Sequence, residues 1–153
     1  MKKLLTILVV ILLPLCLFGQ KKTQKIPLPL AKFNENVKLP LTAKERSQII
    51  EVYGEYAEKY IFSNSNRLRD IKQILRNRVV IKMITNRNEQ KPCPSLSEVS
   101  LFNSFVPSLE RDKNFDPNTF NPLKYNFQFH STSASMFQVD NTNYYIIIKS
   151  QYQ

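Results

Sequence analysis

Three basic side chains have the spacing that places them on one face of a helix. Arg69, Lys72 and Arg76 fall at i, i+3 and i+7, beside an apolar stripe that predicts an amphipathic helix over about residues 66–77. Guanidinium and ammonium groups arranged in this way can neutralise the phosphate or carboxylate groups of a polyanion. We therefore take these three residues as a candidate anion-binding site.

The basic stripe also has a purely structural interpretation. Residues 42–58 carry four glutamates against Lys44 and Arg46, so this neighbouring segment is locally acidic. An acidic helix next to a basic helix can pair with it inside one molecule, and the charges then orient two helices without binding a ligand. Exposed ion pairs contribute only about 0–1 kcal/mol each, so pairing of this kind sets geometry more than stability.

One cysteine and one histidine are the candidates for nucleophilic or acid–base chemistry beyond the N-terminal segment. Cys93 lies between two prolines, and His130 is the only histidine of the chain, so they form the one possible thiol–imidazole pair. However, Pro94 has no amide to contribute to an oxyanion hole, and no GxSxG turn accompanies His130. We predict a protein that is not an enzyme, with a hydrolase using Cys93 or His130 as the alternative.

The remaining site patterns argue against metals and cofactors. Oxygen-bearing side chains alternate as at the start of an EF-hand calcium loop, but Pro117 replaces the turn glycine and Leu123 replaces the closing glutamate. Series of Asx turns give the same alternation, which here involves Asp112, Asn114, Asp116 and Asn118. Two glycines in the whole chain exclude the phosphate-binding glycine loops, and one histidine excludes a three-histidine zinc site. We expect no metal site and no cofactor.

The first nineteen residues have the layout of a secretory signal peptide. Lys2 and Lys3 form a positive start, residues 4–18 are almost entirely apolar, and Gly19 provides a small residue before a basic stretch. The apolar run is short for a membrane span, which needs about 20 residues. An uncleaved anchor and a lipidated Cys16 are the alternatives to cleavage near Gly19.

The two ends of the chain resemble small exported proteins of the Bacteroidota type. The similar stretches are Leu17-Phe18-Gly19-Gln20 and the tail from Val139 to Lys149. The resemblance implies a location in a Gram-negative envelope or outside the cell, and it transfers no functional residue. In that location the relevant partners are an envelope protein, an anionic glycan or a lipid headgroup, and chromosomal nucleic acid is not expected.

The chain of 153 residues, with a net charge of +10, has the length of a single domain. Residues 20–41 hold five lysines and three prolines and predict an extended basic leader. Residues 42–153 then predict one α+β domain, in which helices precede a small antiparallel sheet. A capping box starts the first helix at Thr42, and Gly54 interrupts that helix.

The C-terminal residues predict the sheet. Residues 79–81 are β-branched and predict a strand that runs to about residue 85, and residues 124–129 alternate between polar and apolar and predict another. Asp140 to Asn143 is a predicted hairpin turn, followed by an isoleucine run that is apolar on both faces and therefore predicts a central strand. We assign the aromatic residues near the sheet to the core, with a stacking surface as the alternative: Tyr125, Phe127, Phe129, Phe137, Tyr144 and Tyr145.

Overall fold

The computed structural model describes residue 29 and residues 32–152. The predicted signal peptide and half of the predicted leader lie outside these residues. Two helices precede a three-stranded antiparallel sheet, which confirms the α+β prediction; the elements are α1 (Ala43–Tyr53), α2 (Ser65–Gln73), β1 (Val79–Met83), β2 (Ser135–Gln138) and β3 (Tyr144–Ile148). Within the described part of the chain, no helix combines the length and apolar character that a membrane span requires.

Helix α1 begins at the predicted capping box. The Glu45 amide donates to Thr42 Oγ1 at 3.1 Å, and the Thr42 amide donates to Glu45 Oε2 at 2.8 Å. These two bonds satisfy backbone donors that the first turn of a helix leaves without partners. The inward face of α1 then buries Ile49 and Val52 against α2.

Gly54 ends α1, as the sequence predicts. Its backbone has φ +53° and ψ −132°, and a 3₁₀ turn (Gly54–Tyr56) and a π-helical segment (Glu58–Phe62) follow. Residues with a side chain rarely adopt this backbone conformation. A Cβ atom at position 54 would also lie 3.1 Å from Cγ2 of Val106.

We expect Gly54→Ala to lower the free energy of unfolding by about 1–3 kcal/mol, because alanine is strained in this conformation. Urea denaturation monitored by circular dichroism measures the change. Glu55→Ala, at an exposed neighbouring position, is the matched control and should alter stability by less than about 0.5 kcal/mol. Equal stabilities of Gly54→Ala and the unmodified protein would show that the positive φ is not required.

Helix α2 leads into the sheet without a loop. The Asn64 side chain caps it by accepting from the Arg67 amide at 3.1 Å. After Gln73 the helix continues as a π-helical segment (Ile74–Arg78), and β1 begins at the next residue. The predicted helix over about residues 66–77 is therefore present, but its last turns are π-helical rather than α-helical.

The sheet has the order β1-β3-β2, with both pairings antiparallel. Strand β3 lies at the centre, and Ile146 is fully buried there. The predicted hairpin between β2 and β3 and the predicted central position of the isoleucine run are both confirmed. The turn between these strands contains Asn141 at φ +55°, a conformation that asparagine tolerates.

The predicted strand over residues 124–129 is not formed. A 3₁₀ turn (Pro122–Lys124) begins this segment, and Gln128 near its end has φ +52°. Only two backbone hydrogen bonds join the segment to residues 100–102. From Tyr125 onward the alternation in the sequence instead reflects burial, because Tyr125 and Phe127 face the core while Asn126 and Gln128 face solvent.

Candidate functional site

The basic stripe of α2 does not form one exposed surface. Lys72 is 8% exposed, and its Nζ donates to the backbone oxygens of Val37 at 3.2 Å and Leu39 at 2.7 Å. Both acceptors belong to a segment at the end of the predicted leader, where Glu35–Lys38 is a 3₁₀ turn rather than an extended stretch. The Lys72 charge therefore holds this segment against α2.

Arg76 joins the same segment to α1. Its guanidinium forms a bidentate pair with Glu45, with nitrogen–oxygen distances of 2.5 and 2.6 Å, and both side chains are about 12% exposed. It also donates to the backbone oxygens of Asn36, Leu39 and Pro40. The hydrogen bonds from Arg76 lower the pKa of Glu45 to about 2. Arg76 thus pairs inside the molecule, as the structural alternative for the stripe describes.

Arg69 faces a different part of the surface and is exposed. Its guanidinium lies over the ring of Phe33, 4.3 Å from the ring centroid. Among the residues that the structure describes, no carboxylate forms an ion pair with Arg69. Arg69 is therefore the member of the predicted site that is placed to meet a ligand.

Arg69 lines a cavity of about 380 Å³ between α2 and the C-terminal segment. We call this cavity the α2 cleft; its principal lining residues are Phe33, Arg69, Asp70, Ile74, Arg78, His130 and Tyr152. A second cavity of about 220 Å³ shares Asp70, Ile74 and His130 with it and extends to Tyr53 and Phe102. The structure thus brings together Arg69 and His130, two candidates that are 61 positions apart in the sequence.

The α2 cleft and the second cavity carry more positive than negative charge. Arg67 and Arg69 are exposed at their walls, Arg78 is buried, and Asp70 is the single carboxylate that lines them. Arg78 donates to the backbone oxygens of Phe129 and Lys149, and burial lowers its pKa. The excess of cations favours an anionic ligand.

The two candidates for nucleophilic chemistry lie at opposite ends of the β2–β3 pair. His130 borders the α2 cleft, with Nδ1 3.3 Å from Oε1 of Gln151. Cys93 lies near Gln138 at the other end, where burial raises its pKa and favours the thiol over the thiolate. The structure therefore does not form the thiol–imidazole pair.

The two carboxylates of the calcium-like motif are used within the chain. Asp112 pairs with Nζ of Lys124 at 2.7 Å, and Asp116 accepts from the Asn118 amide at 2.9 Å and from the Thr119 hydroxyl at 3.1 Å. The Asp116 contacts are those of an Asx turn. Across residues 32–152, no three acidic, cysteine or histidine side chains are grouped as metal ligands would be.

Sequence reasoning missed a group of aromatic rings beside the second cavity. We call it the tyrosine cluster; its members are Tyr53, Tyr56, Tyr60, Phe102 and Phe105. Helical spacing places the three tyrosines on the inward stripe of one helix, yet Tyr56 and Tyr60 are 41% and 42% exposed. The aromatic residues near the sheet, in contrast, form the predicted core, with Tyr125, Phe127 and Tyr145 fully buried.

Comparison of the chain with protein-family models, curated proteins and solved structures gives no significant match. The fold and the site define a small α+β domain with a cationic cleft next to an exposed aromatic cluster. Function has to be inferred from the chemistry of these two surfaces.

Proposed function

We propose that this protein is an exported, non-enzymatic component of the bacterial cell envelope that binds an anionic group in the α2 cleft. The group belongs to an envelope glycan or a lipid headgroup. The N-terminal signal-like segment and the resemblance of the chain ends to Bacteroidota exported proteins support the location. The observation that carries the binding role is the exposed Arg69 guanidinium, stacked on Phe33 at the wall of the α2 cleft.

The cleft provides the contacts that such a ligand needs. A guanidinium presents a planar set of donors that matches a carboxylate or phosphate, and stacking on Phe33 restricts its orientation before binding. Ile74 and Tyr152 supply apolar surface for the uncharged part of the ligand. Binding of an anionic ligand through these contacts requires no nucleophile and no general base.

The enzymatic alternative is supported by one observation, the position of His130 in the α2 cleft. A general base acts on a nucleophile or water held within hydrogen-bond distance. Cys93 is at the far end of the sheet, so a hydrolase would have to use water with His130 alone. Binding requires fewer converging groups, and we therefore favour it.

We expect Arg69→Gln to weaken binding to immobilised heparin, a polyanion, by about tenfold, because a charged hydrogen-bond donor is lost. The measurement is the salt concentration at which the purified protein elutes. Lys82→Gln removes an exposed charge on β1, outside the residues that line the cleft, and is the matched control. Equal decreases for both variants, or none for Arg69→Gln, would contradict a role for the cleft.

A further inference from the structure

The tyrosine cluster and the second cavity form one continuous surface. Tyr53 and Phe102 line that cavity, and their ring centroids are 5.9 Å apart. Phe105 contacts both rings, at 4.9 Å from Tyr53 and 5.9 Å from Phe102. A chain-like ligand whose charged group occupies the α2 cleft can therefore extend along the second cavity onto the cluster.

The most exposed rings lie at the outer end of this path. Tyr56 and Tyr60 are neighbours on the segment after Gly54, with centroids 6.1 Å apart. Phe105 supports both of them, at 5.7 Å from Tyr56 and 5.4 Å from Tyr60. The cluster thus holds two tyrosines in place while leaving much of their surface in contact with solvent.

The charges around the cluster indicate which partner fits it. Lys59 Nζ lies 5.2 Å from the centroid of the Tyr60 ring, and the exposed acidic residues Glu55 and Glu58 occur in the same segment. These exposed carboxylates oppose any anionic group at the cluster itself, so the charged group of the ligand belongs in the α2 cleft and the cluster accepts a neutral unit. An anionic lipid surface presents negative charge to the whole face and attracts clusters of lysine and arginine instead. A sugar chain suits both parts of the surface, because its C–H faces pack on aromatic rings and its hydroxyls bond to charged side chains.

We infer that the tyrosine cluster is a stacking surface for sugar units, so that the ligand of this protein is an acidic glycan chain rather than a lipid headgroup. This inference rests on the proposed function, since it assigns the anionic group of the same chain to the α2 cleft. The acidic sugar is bound near Arg69, and neighbouring sugars extend past Tyr53 to Tyr56 and Tyr60.

Hyaluronan oligosaccharides are suitable probes, because they alternate an acidic sugar with a neutral one. Isothermal titration calorimetry should show tighter binding of the hexasaccharide than of the disaccharide. Tyr60→Ala should weaken hexasaccharide binding by about tenfold and leave disaccharide binding unchanged, since only the longer chain reaches the cluster. Tyr60→Phe keeps the ring and should retain most of the affinity, while Met83→Ala, an exposed apolar position on β1, is the matched control.

The outcomes separate this inference from the proposed function. One outcome is an affinity that does not depend on chain length or on Tyr60 but is lost in Arg69→Gln. This outcome overturns the inference of a stacking surface and is consistent with anion binding in the α2 cleft. Binding to vesicles that contain anionic lipid, without binding to any oligosaccharide, also overturns the inference. Absence of binding to every anionic probe contradicts the cleft and the cluster together.

Discussion

Arg76→Ala is expected to lower the free energy of unfolding by about 3–5 kcal/mol, the range found when one partner of a buried ion pair is removed. The substitution leaves the Glu45 carboxylate, which is 11% exposed, without its cationic partner. It also removes the donors to three backbone oxygens of residues 36–40. Both effects act on the contact between α1, α2 and the segment that precedes them.

Urea denaturation at neutral pH measures this change. Arg67→Ala removes an exposed arginine from the first turn of α2 and is the matched control, with an expected change below about 0.5 kcal/mol. A similar small effect for both substitutions would mean that the Arg76–Glu45 pair is not formed in solution.

The pH dependence of stability provides a second test of this ion pair. The pKa of Glu45 is lowered from 4.5 to about 2 in the folded protein, so the folded state holds the proton less tightly than the unfolded state does. The ionised Glu45 carboxylate therefore contributes up to about 3 kcal/mol to the free energy of unfolding. This contribution is fully present above pH 4.5 and is lost as the pH falls from there towards 2. Denaturation at pH 7 and pH 3 should show this loss, and Arg76→Ala should lack most of it.

Phe127→Ala is expected to lower the free energy of unfolding by about 3–5 kcal/mol, the usual range for removing a buried phenylalanine ring. Phe127 is fully buried, and its ring centroid lies 5.5 Å from that of Tyr125 and 5.0 Å from that of Phe137. Two backbone hydrogen bonds join its segment to residues 100–102, so side-chain packing carries much of the stability there.

Thermal and urea unfolding of Phe127→Ala should be compared with those of Asn126→Ala. Asn126 is the exposed neighbour of Phe127, and its replacement should change stability by less than about 0.5 kcal/mol. The segment continues directly to Phe129 and His130, which line the second cavity. If Phe127→Ala lowered the free energy of unfolding by less than about 1 kcal/mol, the core contacts of Phe127 would not be what stabilises this segment.

Local patterns predict the start of α1 and the C-terminal hairpin because neighbouring residues decide both. The Thr42 and Glu45 side chains reach only across one helical turn, and the residues of the hairpin turn are adjacent in the sequence. The isoleucine run is apolar on both faces, which only a central strand can accommodate. Each of these features can be predicted from residues that are close together in the sequence.

Contacts between distant segments decide the rest. Helical spacing places Arg69, Lys72 and Arg76 on one face, but it does not show that residues 36–40 cover the two later members. Gly54 and the π-helical segment after it change the helical phase, so Tyr56 and Tyr60 no longer follow the buried stripe of α1. The α2 cleft and the tyrosine cluster therefore arise where contacts with residues 36–40, or the break at Gly54, alter a regular helical pattern.

Titration of the isotope-labelled protein with the hyaluronan hexasaccharide, followed by amide chemical shifts, tests binding in the α2 cleft most directly. We expect saturable shifts concentrated at Arg69 and His130 and extending to Tyr56 and Tyr60. Shifts that are absent, or that are spread over exposed lysines outside the cleft such as Lys82 and Lys91, would contradict the proposed anion-binding role.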